Sequence, residues 1–129
     1  MIFYTDEESR TLRTAVYGAM VLVSHADPGP VAEERFAGLR AMVKLPEELR
    51  HVLNSARVRL PEGSDSELET RVLEALRRSV RLLAAKSPED AAAFPVAVVA
   101  ICEEVATADG EVVDTEDEMI TKVRAAMAE

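Results

Sequence analysis

Two stretches of this chain are apolar when wound as helices, Ala15 to Val23 on nearly every side and Val96 to Val105 on most sides. A surface helix shows one apolar stripe, whereas a helix with no polar side has to be packed all round. Two such helices make a bundle the simplest expectation, with both central and the other elements wrapped about them. A chain of 129 residues fits one domain that buries roughly two thirds of its unfolded surface. The apolar mass is Ala, Val, Leu and Met, and aromatics are only 4% of residues, which suits close-packed helices better than sheets. The expected class is therefore all-α, a single-domain bundle of about six to seven helices spanning residues 1–129.

Local signals divide the chain. Thr5-Asp6-Glu7-Glu8 and Ser64-Asp65-Ser66-Glu67 are capping boxes, in which hydroxyl and carboxylate each satisfy an amide of the first turn. Ser87-Pro88-Glu89-Asp90 is a third start signal, with proline at the first helical position. Asp27-Pro28-Gly29-Pro30 ends the first helix, because its prolines remove amide donors. Pro30 opens a helix running through Lys44, and Pro46 a shorter one carrying Leu49, Val52 and Leu53 and ending near Asn54 or Ser55. Residues 57–63 read as a loop. The helix from Ser64 to about Lys86 sets Leu68, Val72, Leu76, Ser79, Val80 and Leu83 on one face, with Arg71, Glu74, Arg77, Arg78 and Arg81 on the other. Pro95 either kinks or splits the following helix. Gly110 is expected as that helix's left-handed cap, and Asp114 or Thr115 as the cap of the last helix, whose Met119, Ile120, Val123 and Met127 face inward. Gly18 is expected to let a neighbouring helix approach closely.

The two apolar helices are also alike in detail. Setting Asp27 on Asp109, an offset of 82 (109 minus 27), sets Ala15 on Ala97, Val16 on Val98, Gly18 on Ala100, Val23 on Val105 and Ala26 on Ala108. Glu34 follows Asp27 at the spacing of seven at which Glu116 follows Asp109. Two related helix-turn-helix pairs about a pseudo-twofold account for this echo.

The second turn concentrates acid. Asp109, Glu111, Asp114 and Glu116 are candidate oxygen ligands for calcium or magnesium, and Asp27 and Glu34 are the weaker equivalents at the first turn. Asp109-Gly110-x-Val112-x-x-x-Glu116 matches the second half of an EF-hand loop. Val105 and Thr107 stand where that loop needs its first oxygen ligands, so an EF-hand is excluded. The structural alternative is that Gly110 caps one helix and the carboxylates favour the dipole of the next.

A buried helix ending in Ala-Asp-Gly, an apolar residue two positions on and a glutamate four beyond that resembles the signature of the TerB-like proteins. That family is named for tellurite resistance and is related to the N-terminal domain of DnaJ-like membrane-associated chaperones. Here the signature is Ala108-Asp109-Gly110-x-Val112-x-x-x-Glu116, and Pro28 stands where the first copy would carry glycine. The resemblance implies an all-α fold, acidic residues that bind metal ions and a place in stress-response assemblies without catalysis.

Other chemistry is sparse. Glu48-Leu49-Arg50-His51 has the glutamate-to-histidine spacing of di-iron bundles, but it occurs once, and Leu22 stands three residues before His25. His25 is read as bonding a helix-terminal carbonyl and His51 as a surface or boundary residue. Cys102 is the only cysteine; it falls within an apolar helix, forms no intramolecular disulfide and suits a reducing setting. The chain has no phosphate-cradling glycine loop, serine elbow or zinc motif, so no enzyme class is indicated.

The net charge of -9 is uneven. Residues 1–43 carry four basic and six acidic groups, 44–86 nine and seven, and 87–129 two and eleven. That balance disfavours nucleic acid, which calls for a net basic surface. Arg71, Arg77, Arg78 and Arg81 form the one basic cluster, a candidate docking surface for an acidic protein partner or for the acidic end of a second copy. With neither a secretion signal nor an apolar run long enough to span a bilayer, the expected location is cytoplasmic, without membrane insertion. The leading expectation is a non-enzymatic protein that binds partners, with weak metal binding at the second turn. A purely structural scaffold or adaptor without metal is the alternative.

Overall fold

Thr5 starts the first helix as its hydroxyl predicts: Oγ1 accepts from the Glu8 amide at 3.1 Å, and Glu8 Oε1 accepts from the Thr5 amide at 2.9 Å. In the computed structural model, residues 4–25, 44, 45, 47–54, 63–107 and 114–128 are described. They form five α-helices with no strand among them: α1 Asp6–His25, α2 Glu47–Asn54, α3 Asp65–Lys86, α4 Pro88–Ala106 and α5 Asp114–Met127. The helix expected from Pro30, and the turns around Asp27 and Gly110, lie outside the described residues apart from Lys44.

The all-α class is what the structure has. Helix α1 touches each of the other four helices, and no residue from Thr11 to Val23 is exposed. Its apolar second half is thus a central element. Helix α3 packs along it with Val72, Leu76, Ser79 and Leu83 fully buried, leaving Arg71, Glu74, Arg78 and Arg81 in solvent. The two helices run antiparallel, since Glu8 meets Lys86 at one end and Gly18 meets Val72 at the other. Short α2 lays Leu49 and Leu53 onto α1, and Arg13 of α1 donates to the Val52 carbonyl at 3.4 Å. Helices α4 and α5 complete the core with Phe94, Val98, Ile101, Val105, Ile120, Val123 and Met127.

Ser64 accepts from the Glu67 amide at 3.2 Å, and Ser87 from the Asp90 amide at 3.4 Å, so both start signals act as caps. Ser87 also ends α3, its amide donating to the Leu83 carbonyl, and one residue thereby joins two helices without a loop. Pro95 lies inside a single helix and does not split it. The missing amide costs one bond, to Ala91, while Phe94, Ala97 and Val98 around it are buried, so packing holds the turn that the proline weakens.

Two expected boundaries move. Helix α4 ends at Ala106 with Thr107 as its cap, before Gly110 is reached. The Thr107 hydroxyl donates back to the Glu103 carbonyl at 2.9 Å, and its amide serves the same carbonyl, so threonine closes the helix in place of the expected glycine. Asp114 is the first residue of α5 and not the residue before it, a shift within the ordinary spread of helix ends.

Positions paired by the 82-residue offset share burial. Ala15 and Ala97, Val16 and Val98, and Val23 and Val105 are all buried. Gly18 is buried and Ala100 partly so. Val96 breaks the apolar expectation for α4, being 72% exposed.

Candidate functional site

The basic cluster is the part of the predicted site that the structure describes in full. Arg71, Arg78 and Arg81 are exposed on α3, and Arg77 is half-buried. A helix that buries one stripe turns its charged residues outward, so this exposure follows from the sequence pattern. Glu74 sits among them and accepts from Arg78 Nε at 3.2 Å and Arg77 Nη1 at 3.5 Å. Such exposed pairs contribute little stability, but they fix the guanidinium positions and neutralise part of the charge. Arg71 and Arg81 make no ion pair among the described residues.

Helix α1 adds what the sequence pattern does not show. A groove of about 510 Å³ runs between α1 and α3, lined by Arg10, Thr11 and Thr14 on one side and Thr70, Arg71, Glu74, Ala75 and Arg78 on the other. Arg10 is exposed and, like Arg71, has no ion pair among the described residues. The Thr11 hydroxyl donates to the Glu7 carbonyl at 3.1 Å and the Thr70 hydroxyl to the Ser66 carbonyl at 3.0 Å. Those two hydroxyl protons are already used, so the donors left in the groove are the guanidiniums and the hydroxyl of Thr14. Two of the four predicted arginines, Arg71 and Arg78, belong to this groove, while Arg77 and Arg81 lie outside its lining. Arg10 was missed because it is far away in sequence, and only the antiparallel packing of α1 on α3 brings it there.

The acidic turn divides differently. Glu116 is fully buried in the first turn of α5. A helix N-terminus offers unpaired amides and a favourable dipole, which is an environment suited to a carboxylate. The backbone of Asp114 begins the same helix. Asp109, Glu111, Asp27 and Glu34 are outside the described residues, and among those described no three of His, Cys, Asp and Glu gather as a metal ion would need.

Cys102 is fully buried, and burial, helped by the charge of Glu103, pushes its thiol up to about 12. At neutral pH it is a protonated, packed side chain and a poor nucleophile. His51 is exposed on α2, as a surface residue would be. Among the described residues, no helix is long and apolar enough to cross a membrane. The chain matches no family model, no curated protein and no solved structure.

Proposed function

We propose that this chain is a non-enzymatic, TerB-like helical protein of a stress or tellurite-resistance type system that works by binding a protein partner. In the same reading it is cytoplasmic, and the turn at Asp109, Glu111, Asp114 and Glu116 supplies a weak site for calcium or magnesium. The observation that carries the partner-binding part is the exposed basic face of α3 on a chain whose net charge is -9. Charge of the minority sign, concentrated on one face, favours an acidic partner and speeds its encounter. The matched burial of α1 and α4 at the 82-residue offset supports a duplicated helix-turn-helix pair, and with it the TerB-like reading.

The partner-binding part is tested by immobilising the wild-type chain beside an Arg71→Glu/Arg78→Glu variant and comparing the proteins each retains from a bacterial lysate. A protein held by wild type and lost by the variant is expected; identical retention by the two overturns the reading. The metal part is tested by calorimetric titration of calcium, magnesium and manganese, with Asp109→Ala as control. Absence of heat, or equal heat in the variant, removes the metal.

The second reading, a scaffold with no metal, is favoured by the complete burial of Glu116 at the head of α5. The helix's own amides can account for a carboxylate there without an ion.

A further inference from the structure

We infer that the α1–α3 groove is a binding site for an elongated acidic peptide segment, with Arg10, Arg71 and Arg78 as its anchors. This inference rests on the partner-binding reading above and names both the surface and the chemistry of what it binds.

The geometry of the charges sets the class of ligand. Arg71 and Arg78 are seven residues apart on one helix, which places them about 10 Å apart along its axis. Arg10 stands on the opposite wall, contributed by α1. A small single anion would engage one or two of these groups, whereas a segment carrying several carboxylates along its length can meet all three. Glu74 lies in the same lining and is exposed. It repels a compact, highly charged dianion such as a phosphate group more than it repels spaced single carboxylates. Guanidiniums pair with carboxylates through two parallel hydrogen bonds, which gives the contact direction as well as charge. Between the charges, Ala75 and the methyl groups of Thr11, Thr14 and Thr70 supply the apolar surface that a peptide backbone and small side chains can cover. Nucleic acid also carries repeated anions, but its charges are denser than the spaced carboxylates of a peptide, so the chain's overall charge of -9 opposes it more.

The test uses fluorescence anisotropy with the full chain and three labelled probes of equal length: alternating Glu-Ala, alternating Lys-Ala and oligothymidylate. The expected result is binding of the Glu-Ala peptide only, weakened by added salt. Arg10→Glu and Arg71→Glu should each weaken it by about tenfold or more, the size expected for losing a charge-assisted hydrogen bond. Arg81→Glu, outside the groove, should leave it nearly unchanged, and Glu74→Gln should tighten it. All four positions are exposed, and unchanged circular dichroism melts establish that the variants fold. If Arg81→Glu weakens the peptide while Arg10→Glu does not, the groove is overturned and the basic face of α3 alone is the surface. If the Glu-Ala peptide does not bind, or oligothymidylate binds more tightly, the inference is overturned, and the lysate comparison decides the wider reading separately.

Discussion

Gly18 on α1 lies so close to Val72 on α3 that a Cβ built on it would sit 2.5 Å from Val72 Cγ2 and 3.0 Å from Cγ1. Glycine costs a helix roughly 0.5–1 kcal/mol relative to alanine, so here close approach outweighs propensity. Val72 is fully buried and cannot swing aside cheaply. Gly18→Ala should therefore destabilise the chain by about 1–3 kcal/mol, as overpacking does, despite its better helix propensity. Adding Val72→Ala should recover part of the loss imposed by the new methyl. Urea denaturation of the two single variants and the double variant measures this; strictly additive effects would show that the residues do not compete for space.

Glu8 joins the start of α1 to the end of α3, and its titration should be visible in the stability. The Thr5 amide holds its carboxyl below the ordinary value of 4.5 against some desolvation, and Lys86, whose Nζ lies 3.1 Å from Oε1, adds to the effect. A carboxyl lowered in the folded state contributes stability that is present above 4.5 and lost as pH falls through its folded value. Glu8→Gln should flatten that part of the acid limb. Thermal midpoints of the two proteins, compared from neutral pH down past 4.5, should converge in acid; parallel curves would remove Glu8 from the account.

How much of this was legible depended on whether the determining contacts were local. The caps at Thr5, Ser64 and Ser87 could be read because a hydroxyl and an amide three residues apart need nothing else. The buried face of α3 and the burial of the apolar second half of α1 could be read from periodicity, which reports how many sides a helix packs. Helix ends were less legible: Thr107 capped α4 before Gly110 because either residue's chemistry can close a helix, and the surroundings decide which does. Exposure of Val96 depends on which side of α4 its neighbours leave open, and no local pattern records that. The basic half of the groove was visible on α3. Arg10 was not, because its place beside Arg71 and Arg78 depends on the pairing of helices roughly sixty residues apart in sequence.

Cys102 should behave as a core residue with a measurable alkaline signature. Its pKa is raised from 9.0 to about 12 by burial first and Glu103 second, so the folded state keeps a proton that the unfolded state releases. Stability should accordingly be full below 9.0 and fall as pH rises from there toward 12. Tyr17 is raised in the same direction by desolvation, so Cys102→Ala should reduce the fall without abolishing it. Denaturant midpoints at several alkaline pH values check this, and a thiol reagent applied to the native chain should react no faster than the chain opens. Fast labelling of native protein would contradict the burial.

Glu116 is where the structural and metal readings of the acidic turn part. The Glu116 side chain is fully buried in the first turn of α5, so its carboxyl group has given up its hydration and truncating it leaves a cavity. Glu116→Ala should cost about 2–4 kcal/mol, within the range for emptying a packed site. That loss is expected whether or not metal binds. The discriminating measurement is the thermal midpoint with and without millimolar calcium or magnesium. An ion that binds only the folded chain raises the midpoint in proportion to the logarithm of its excess over Kd. A metal site predicts such a rise in wild type and none in Asp109→Ala or Glu116→Gln. A structural carboxylate predicts no rise in any of the three, and that outcome would leave the helix dipole as the reason for an acid at this position.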